Sequence, residues 1–157
     1  MNIAREVARR STCLRRKFGA VVVKNDVIVS TGYVGAPRST RDCFERGECL
    51  RDKLNIPHGQ RYELCRSVHS EMNAIINAAR SGASILGGTM YIWGADLEDN
   101  IVNAFPCFMC KKMIINAGLK DIVCSLEGGG WKRFFIEDWV REWQKGDIIE
   151  DKYQYGR

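Results

Sequence analysis

With 157 residues, the chain has room for one domain around one core, and 45% hydrophobic content excludes a disordered polymer. A net charge of +5 fits an anionic ligand such as a nucleotide, but equally a solvated basic surface, and does not decide between them. No apolar run approaches the roughly 20 residues of a membrane span, and the first residues open no signal-like apolar stretch, so no membrane role is expected and the expected setting is the cytoplasm.

Residues 1 to about 13 carry Ile3, Ala4 and Val7 on one face and arginines on the other, which predicts a helix. Residues 19–23 are a short buried-strand run, Asn25-Asp26 is a turn signal, and residues 27–33 resume as a strand, giving a hairpin. Residues 35 to about 66 form a long polar insert rich in Cys, Gly and Pro, which requires either a function or a staple. A helix is predicted over 71 to about 81, with Met72, Ile75, Ile76 and Ala79 at helical spacing and Gly82 as its cap. A strand follows at 89–93, a helix at 107–117 with Gly118 behind it, and a strand at 121–125. Residues 128–130 are three glycines and read as a flexible break. From 135 to 144 an amphipathic helix carries Ile136, Trp139, Val140 and Trp143, with the two tryptophans expected in the core or at a subunit contact, and a polar tail runs to 157. One domain over 1–157 is expected, with its C-terminal helix and tail at about 135–157. Alternation of helices and strands implies a mixed sheet covered by helices.

The chemistry concentrates in two motifs. His69-Ser70-Glu71 stands at the start of one predicted helix. Pro106 and Cys107-Phe108-Met109-Cys110 stand at the start of another. One imidazole and two thiolates give a zinc ion three protein ligands and leave a fourth position for water, whose pKa falls to about 7. Glu71, two residues from the imidazole, can move protons without binding the metal. Each fragment alone has another use: an acidic residue in a helix's first turn, a structural zinc knuckle, a redox pair or a structural histidine. Together they predict a catalytic zinc held by His69, Cys107 and Cys110, with Glu71 as the general acid and base. The seven cysteines of a chain in a reducing compartment are more readily ligands or buried thiols than disulfides.

The chain resembles the cytidine/deoxycytidylate deaminase superfamily, and within it the deoxycytidylate (dCMP) deaminases. The residues that carry this are Arg10-Ser11-Thr12-Cys13, Phe18-Gly19-Ala20-Val21-Val22-Val23, Gly32-Tyr33-Val34-Gly35-Ala36-Pro37, Cys65 to Ile75 around the His-Ser-Glu motif, and Pro106-Cys107-Phe108-Met109-Cys110. The resemblance covers most of residues 1–125. It implies an α/β/α sandwich with a mixed central sheet, hydrolysis of dCMP to dUMP and ammonia, a catalytic zinc, a small nucleotide substrate and a homo-oligomer, with nucleic acid not expected as a partner. The substrate loop would include Val34, Gly35, Pro37 and Arg38, with Pro106 beside it. The family usually has Asn where Val34 stands, so sugar recognition is expected to differ here. Arg38, Arg41, Lys132 and Arg133 are candidates for a 5′-phosphate.

Some dCMP deaminases hold a second, structural zinc. Cys13, Cys43, Cys49 and Cys65 resemble that arrangement, with His58 as a substitute ligand, and Cys124 is expected in the core. A closed site of this kind contributes folding energy to an insert too polar to hold itself by burial. Ordinary reduced thiols are the other reading. Two functional alternatives stand beside dCMP deamination: a tRNA adenosine or guanine deaminase-like activity, and a non-catalytic, zinc-stabilised interaction protein of the competence type.

Overall fold

A computed structural model describes residues 1–57 and 59–146. Helix α1 (Asn2–Ala8) leads into β1 (Lys17–Lys24) and β2 (Val27–Tyr33), which form an antiparallel hairpin. Asn25 and Asp26 both have positive φ, as a tight two-residue hairpin turn requires. The segment after β2 carries α2 (Cys43–Arg46), α3 (Leu50–Lys53) and a 3₁₀ turn (Tyr62–Leu64). Then come α4 (Ser70–Arg80), β3 (Thr89–Ala95), α5 (Phe108–Asn116), β4 (Asp121–Ser125), β5 (Trp131–Phe135) and α6 (Ile136–Lys145). The sheet order is β2-β1-β3-β4-β5, with β3 and β4 parallel and the other pairs antiparallel. The α/β/α sandwich with a mixed central sheet is therefore present. No helix among the described residues is long and apolar enough to cross a membrane.

Strand alternation divides the core between two faces. Ala20, Val22, Met90, Ile92, Ile122 and Cys124 pack with α4, α5 and α6, while Val21, Trp93 and Ala95 pack with Ala4 and Ala8 of α1. Two glycines let helices reach the sheet. A Cβ on Gly19 would lie 2.3 Å from the Ala4 carbonyl oxygen, and one on Gly32 would lie 2.3 Å from the Ala74 nitrogen. These contacts seat α1 on one side of the hairpin and α4 on the other.

Three expectations are corrected. Helix α1 ends at Ala8 rather than near residue 13, because the Ser11 hydroxyl bonds both the amide and the carbonyl of Phe18 and turns the chain into β1. The three glycines are a hairpin turn with positive φ throughout, and they lead into β5, which the sequence did not suggest. This edge strand is mostly exposed, so it is held by main-chain pairing to β4 and shows no burial alternation. The insert is not wholly irregular: Asp42 and Glu45 cap α2 reciprocally, and Gly47 closes it in the left-handed region. The expected helix at the C-terminus is α6, with Trp139 buried; the tail from 147 lies outside the described residues.

Candidate metal centre and cavity

Both motifs sit at helix starts, where the core fixes the backbone. His69 is the N-cap of α4, with Glu71 in its first turn. Cys107 is the N-cap of α5, with Cys110 one turn in. Pro106 is buried just before α5, at a position where a missing N–H costs a helix nothing. Because α4 and α5 pack side by side, the three ligand atoms converge. His69 Nδ1 lies 3.3 Å from Cys107 Sγ and 3.4 Å from Cys110 Sγ. A tetrahedral zinc with ordinary bond lengths separates a nitrogen and a sulfur by about 3.6 Å, so the trio fits that ion. Among the described residues, this is the one group of His, Cys, Asp or Glu whose ligand atoms all lie within 4.8 Å of one another.

The electrostatics suit a metal. A hydrogen bond from Cys110 holds the Cys107 thiol well below its usual value, against burial, and His69 adds to the effect. The same bond, with burial and the neighbouring Glu71, pushes Cys110 well above it. Burial opposes charge on His69, but Cys107 and Glu71 outweigh it and raise its pKa. One thiolate beside one thiol is what two close sulfurs settle on before a cation arrives. Glu71 is 6% exposed, its Oε2 accepts from Ser70 Oγ at 2.7 Å, and Tyr62 packs edge-on to the His69 ring at 5.0 Å.

His69, Glu71 and Cys107 line a cavity of about 290 Å³. Of the residues expected at the substrate, Val34 is on its wall. Gly35 is instead paired through its backbone with Val68, Pro37 is exposed, and exposed Arg38 donates to Asn77 of α4, which itself donates to the Thr31 carbonyl of β2. None of these three, nor Pro106, lines the cavity. The other candidate cations are also elsewhere: Arg41 donates to the Glu45 carbonyl, Arg133 lies 3.7 Å from Asp121, and Lys132 sits over Phe134. The positive charge on the wall comes from Arg15, Arg16 and Arg51, which sequence reading passed over. Arg15 and Arg16 stand two and three residues after Cys13, a nearby signal; Arg51 lies in the insert and has none. Asn73, also outside the cavity, donates to the Tyr33 carbonyl and ties α4 to the end of β2.

Cys13, Cys43, Cys49 and Cys65 share the same cavity wall. Burial raises the thiol pKa of Cys13 and of Cys43, and the neighbouring cysteines of the set add to the rise at both. They do not stand at the ligand spacing of the His69 trio. Around them Thr12 Oγ1, Arg15 Nη1, Arg51 Nε and Ser67 Oγ are buried with no hydrogen-bond partner among the described residues. Arg15 Nη1 does lie 3.4 Å from Asp52, and Arg51 stacks 4.6 Å over Tyr62. His58 lies outside the described residues. Cys124 is buried in the core on β4, where burial pushes its pKa up. All seven cysteines are unpaired.

Comparison with known proteins agrees with this geometry. A family profile described as the cytidine and deoxycytidylate deaminase zinc-binding region matches residues 1–126. The chain is 33% identical to the deoxycytidylate deaminase of Mycobacterium phage D29, over 81% of this chain and 91% of that one. It is 30% identical to the deoxycytidylate deaminase of Schizosaccharomyces pombe over 78% of this chain, but spans only 34% of that protein's length. The crystal structure of the cyanophage S-TIM5 dCMP deaminase in complex with dCMP and dUMP superposes with a TM-score of 0.54 at 27% identity, covering 77% of this chain and 74% of that one. On a profile match that runs through both zinc motifs, supported by relatives of this identity, the chain belongs to the cytidine and deoxycytidylate deaminase family.

Proposed function

We propose that the protein catalyses hydrolytic deamination of dCMP to dUMP and ammonia, with Glu71 as the proton carrier and His69, Cys107 and Cys110 as zinc ligands. The observation that carries this is the convergence of one imidazole nitrogen and two sulfurs beside a cavity that His69, Cys107 and Glu71 line. Zinc, when bound, supplies a Lewis acid and an acidified water. The protein's part is proton management. As water adds to the amine-bearing ring carbon, Glu71 takes its proton and delivers it to the ring nitrogen. It then helps the amino group leave as ammonia when the C–N bond breaks. Arg15, Arg16 and Arg51 give the wall the charge an anionic nucleotide needs.

A second, structural zinc on Cys13, Cys43, Cys49 and Cys65 is part of the proposal. Arg51 Nε, buried on the shared wall with no hydrogen-bond partner among the described residues, is what thiolates, rather than thiols, would satisfy. Seven unpaired cysteines suit a cytoplasmic setting. Exposed aromatic residues Phe105, Trp131 and Phe135 offer a surface for a homo-oligomer.

The test is ammonia release from dCMP, CMP and deoxycytidine by zinc-loaded protein. Turnover with dCMP, and little with deoxycytidine, is the expected result. No turnover of any cytosine substrate would overturn the reading.

A further inference from the structure

We infer that Ser70 is a positioning residue for the reaction: its hydroxyl fixes the carboxylate of Glu71 in the orientation from which protons are exchanged. The inference rests on the reading of Glu71 as the proton carrier. Three observations support it. Ser70 borders the cavity but is 0% exposed, so its hydroxyl is satisfied by a bond within the protein. That bond goes to Glu71 Oε2 at 2.7 Å. Neighbouring side chains on a helix point apart, so a bond between residues 70 and 71 is not a default of helix geometry; it needs the Glu71 side chain folded back at the helix start.

The position of Ser70 is itself fixed. A Cβ on Gly32 would sit 2.4 Å from the Ser70 carbonyl oxygen, so β2 and the first turn of α4 are in backbone contact at this residue. The hydroxyl is therefore carried by the stiffest part of the site. The Ser70 hydroxyl is thus a fixed donor that limits rotation of the carboxylate. A proton carrier free to rotate spends part of its time misaligned, and misplacements near 1 Å cost about 100-fold in favourable cases. A single bond to a charged group supplies less, about 10-fold.

The experiment compares wild type with Ser70→Ala, Ser70→Thr and Glu71→Gln, with zinc content and Tm measured on each. Ser70→Ala is expected to lower kcat for dCMP about 10-fold with KM and zinc content unchanged, and to raise the solvent deuterium isotope effect on kcat. Ser70→Thr keeps the hydroxyl and is expected within about threefold of wild type. A kcat for Ser70→Ala within twofold of wild type overturns the inference. So does a loss that appears in KM or in zinc content instead, or a folded Ser70→Thr as slow as Ser70→Ala. Undiminished turnover by Glu71→Gln would instead overturn the role of Glu71, whatever the Ser70 variants do.

Discussion

The two cysteine sets of this molecule meet at one cavity, where Cys107 faces Cys13, Cys43, Cys49 and Cys65 on the wall, but they are built differently. Cys107 and Cys110 belong to one helix start, His69 to another, and both helices are anchored by fully buried residues such as Ala74 and Ile114. Their ligand atoms reach coordination spacing through packing alone. Cys13, Cys43, Cys49 and Cys65 come from a loop after α1 and from a polar insert whose α2 and α3 are each four residues long. Such short helices have little stability of their own, and their sulfurs lie near one another without converging as the trio does. The first set is preorganised by the core; the second would need an ion to draw its sulfurs together.

That contrast can be broken in several places. The largest effect is expected from Glu71→Gln. Its kcat should fall by at least the ~10²–10⁴-fold of lost acid–base catalysis while zinc on the trio stays at wild-type content. Loss of zinc together with activity would mean that the carboxylate holds the metal, and the site's preorganisation would be overstated. Next comes Cys43→Ser, in a buried residue of the insert. Metal analysis should find two zinc ions per wild-type chain and one in the variant, with proteolysis within residues 35–66 faster by on the order of tenfold. One zinc in both proteins would leave the insert's thiols as plain buried cysteines.

Smaller effects sharpen the claim that packing builds the first site. Gly32→Ala must push α4 away from β2, which is expected to cost about 1–3 kcal/mol in chemical denaturation. Because α4 carries His69 and Glu71, activity should fall further than the lost stability explains. The smallest effect is in protons. Bonding to Cys107, with burial, keeps Cys110 protonated at neutral pH, so zinc binding should release its proton, seen as binding heats that vary with buffer ionisation enthalpy. The raised His69 pKa acts in the same direction, so zinc retention should weaken as pH falls.

Much of this was legible in the sequence where local pattern coincides with the physical cause. The place of β4 follows from the apolar run Ile122-Val123-Cys124, because a central strand is buried on both faces. The His69, Cys107 and Cys110 trio follows from spacing, because a helix's first turn puts Cys107 and Cys110 on one side. The illegible parts depend on partners distant in the chain. β5 exists because β4 offers it an edge, and residues 131–135 carry no alternation of their own. The end of α1 is set by Ser11 reaching Phe18. The cationic wall was sought in Arg38, Arg41, Lys132 and Arg133, on the logic of nearby loops, but Arg51 comes from the insert. Ser70 is small enough for a buried position, and only the coordinates show that its oxygen has a partner.

The close approaches at Gly19 and Gly32 also set the order in which the molecule comes apart. Gly19 lies in β1 and Gly32 in β2, so one hairpin is clasped by α1 on one side and α4 on the other. Fluctuations that expose its amides must detach a helix first, while those of the insert need not. Hydrogen exchange should therefore be slowest in the hairpin and fastest in residues 35–66, and His69 and Glu71, at the seam of the clasp, should remain in place through partial openings that have already released the second set of cysteines.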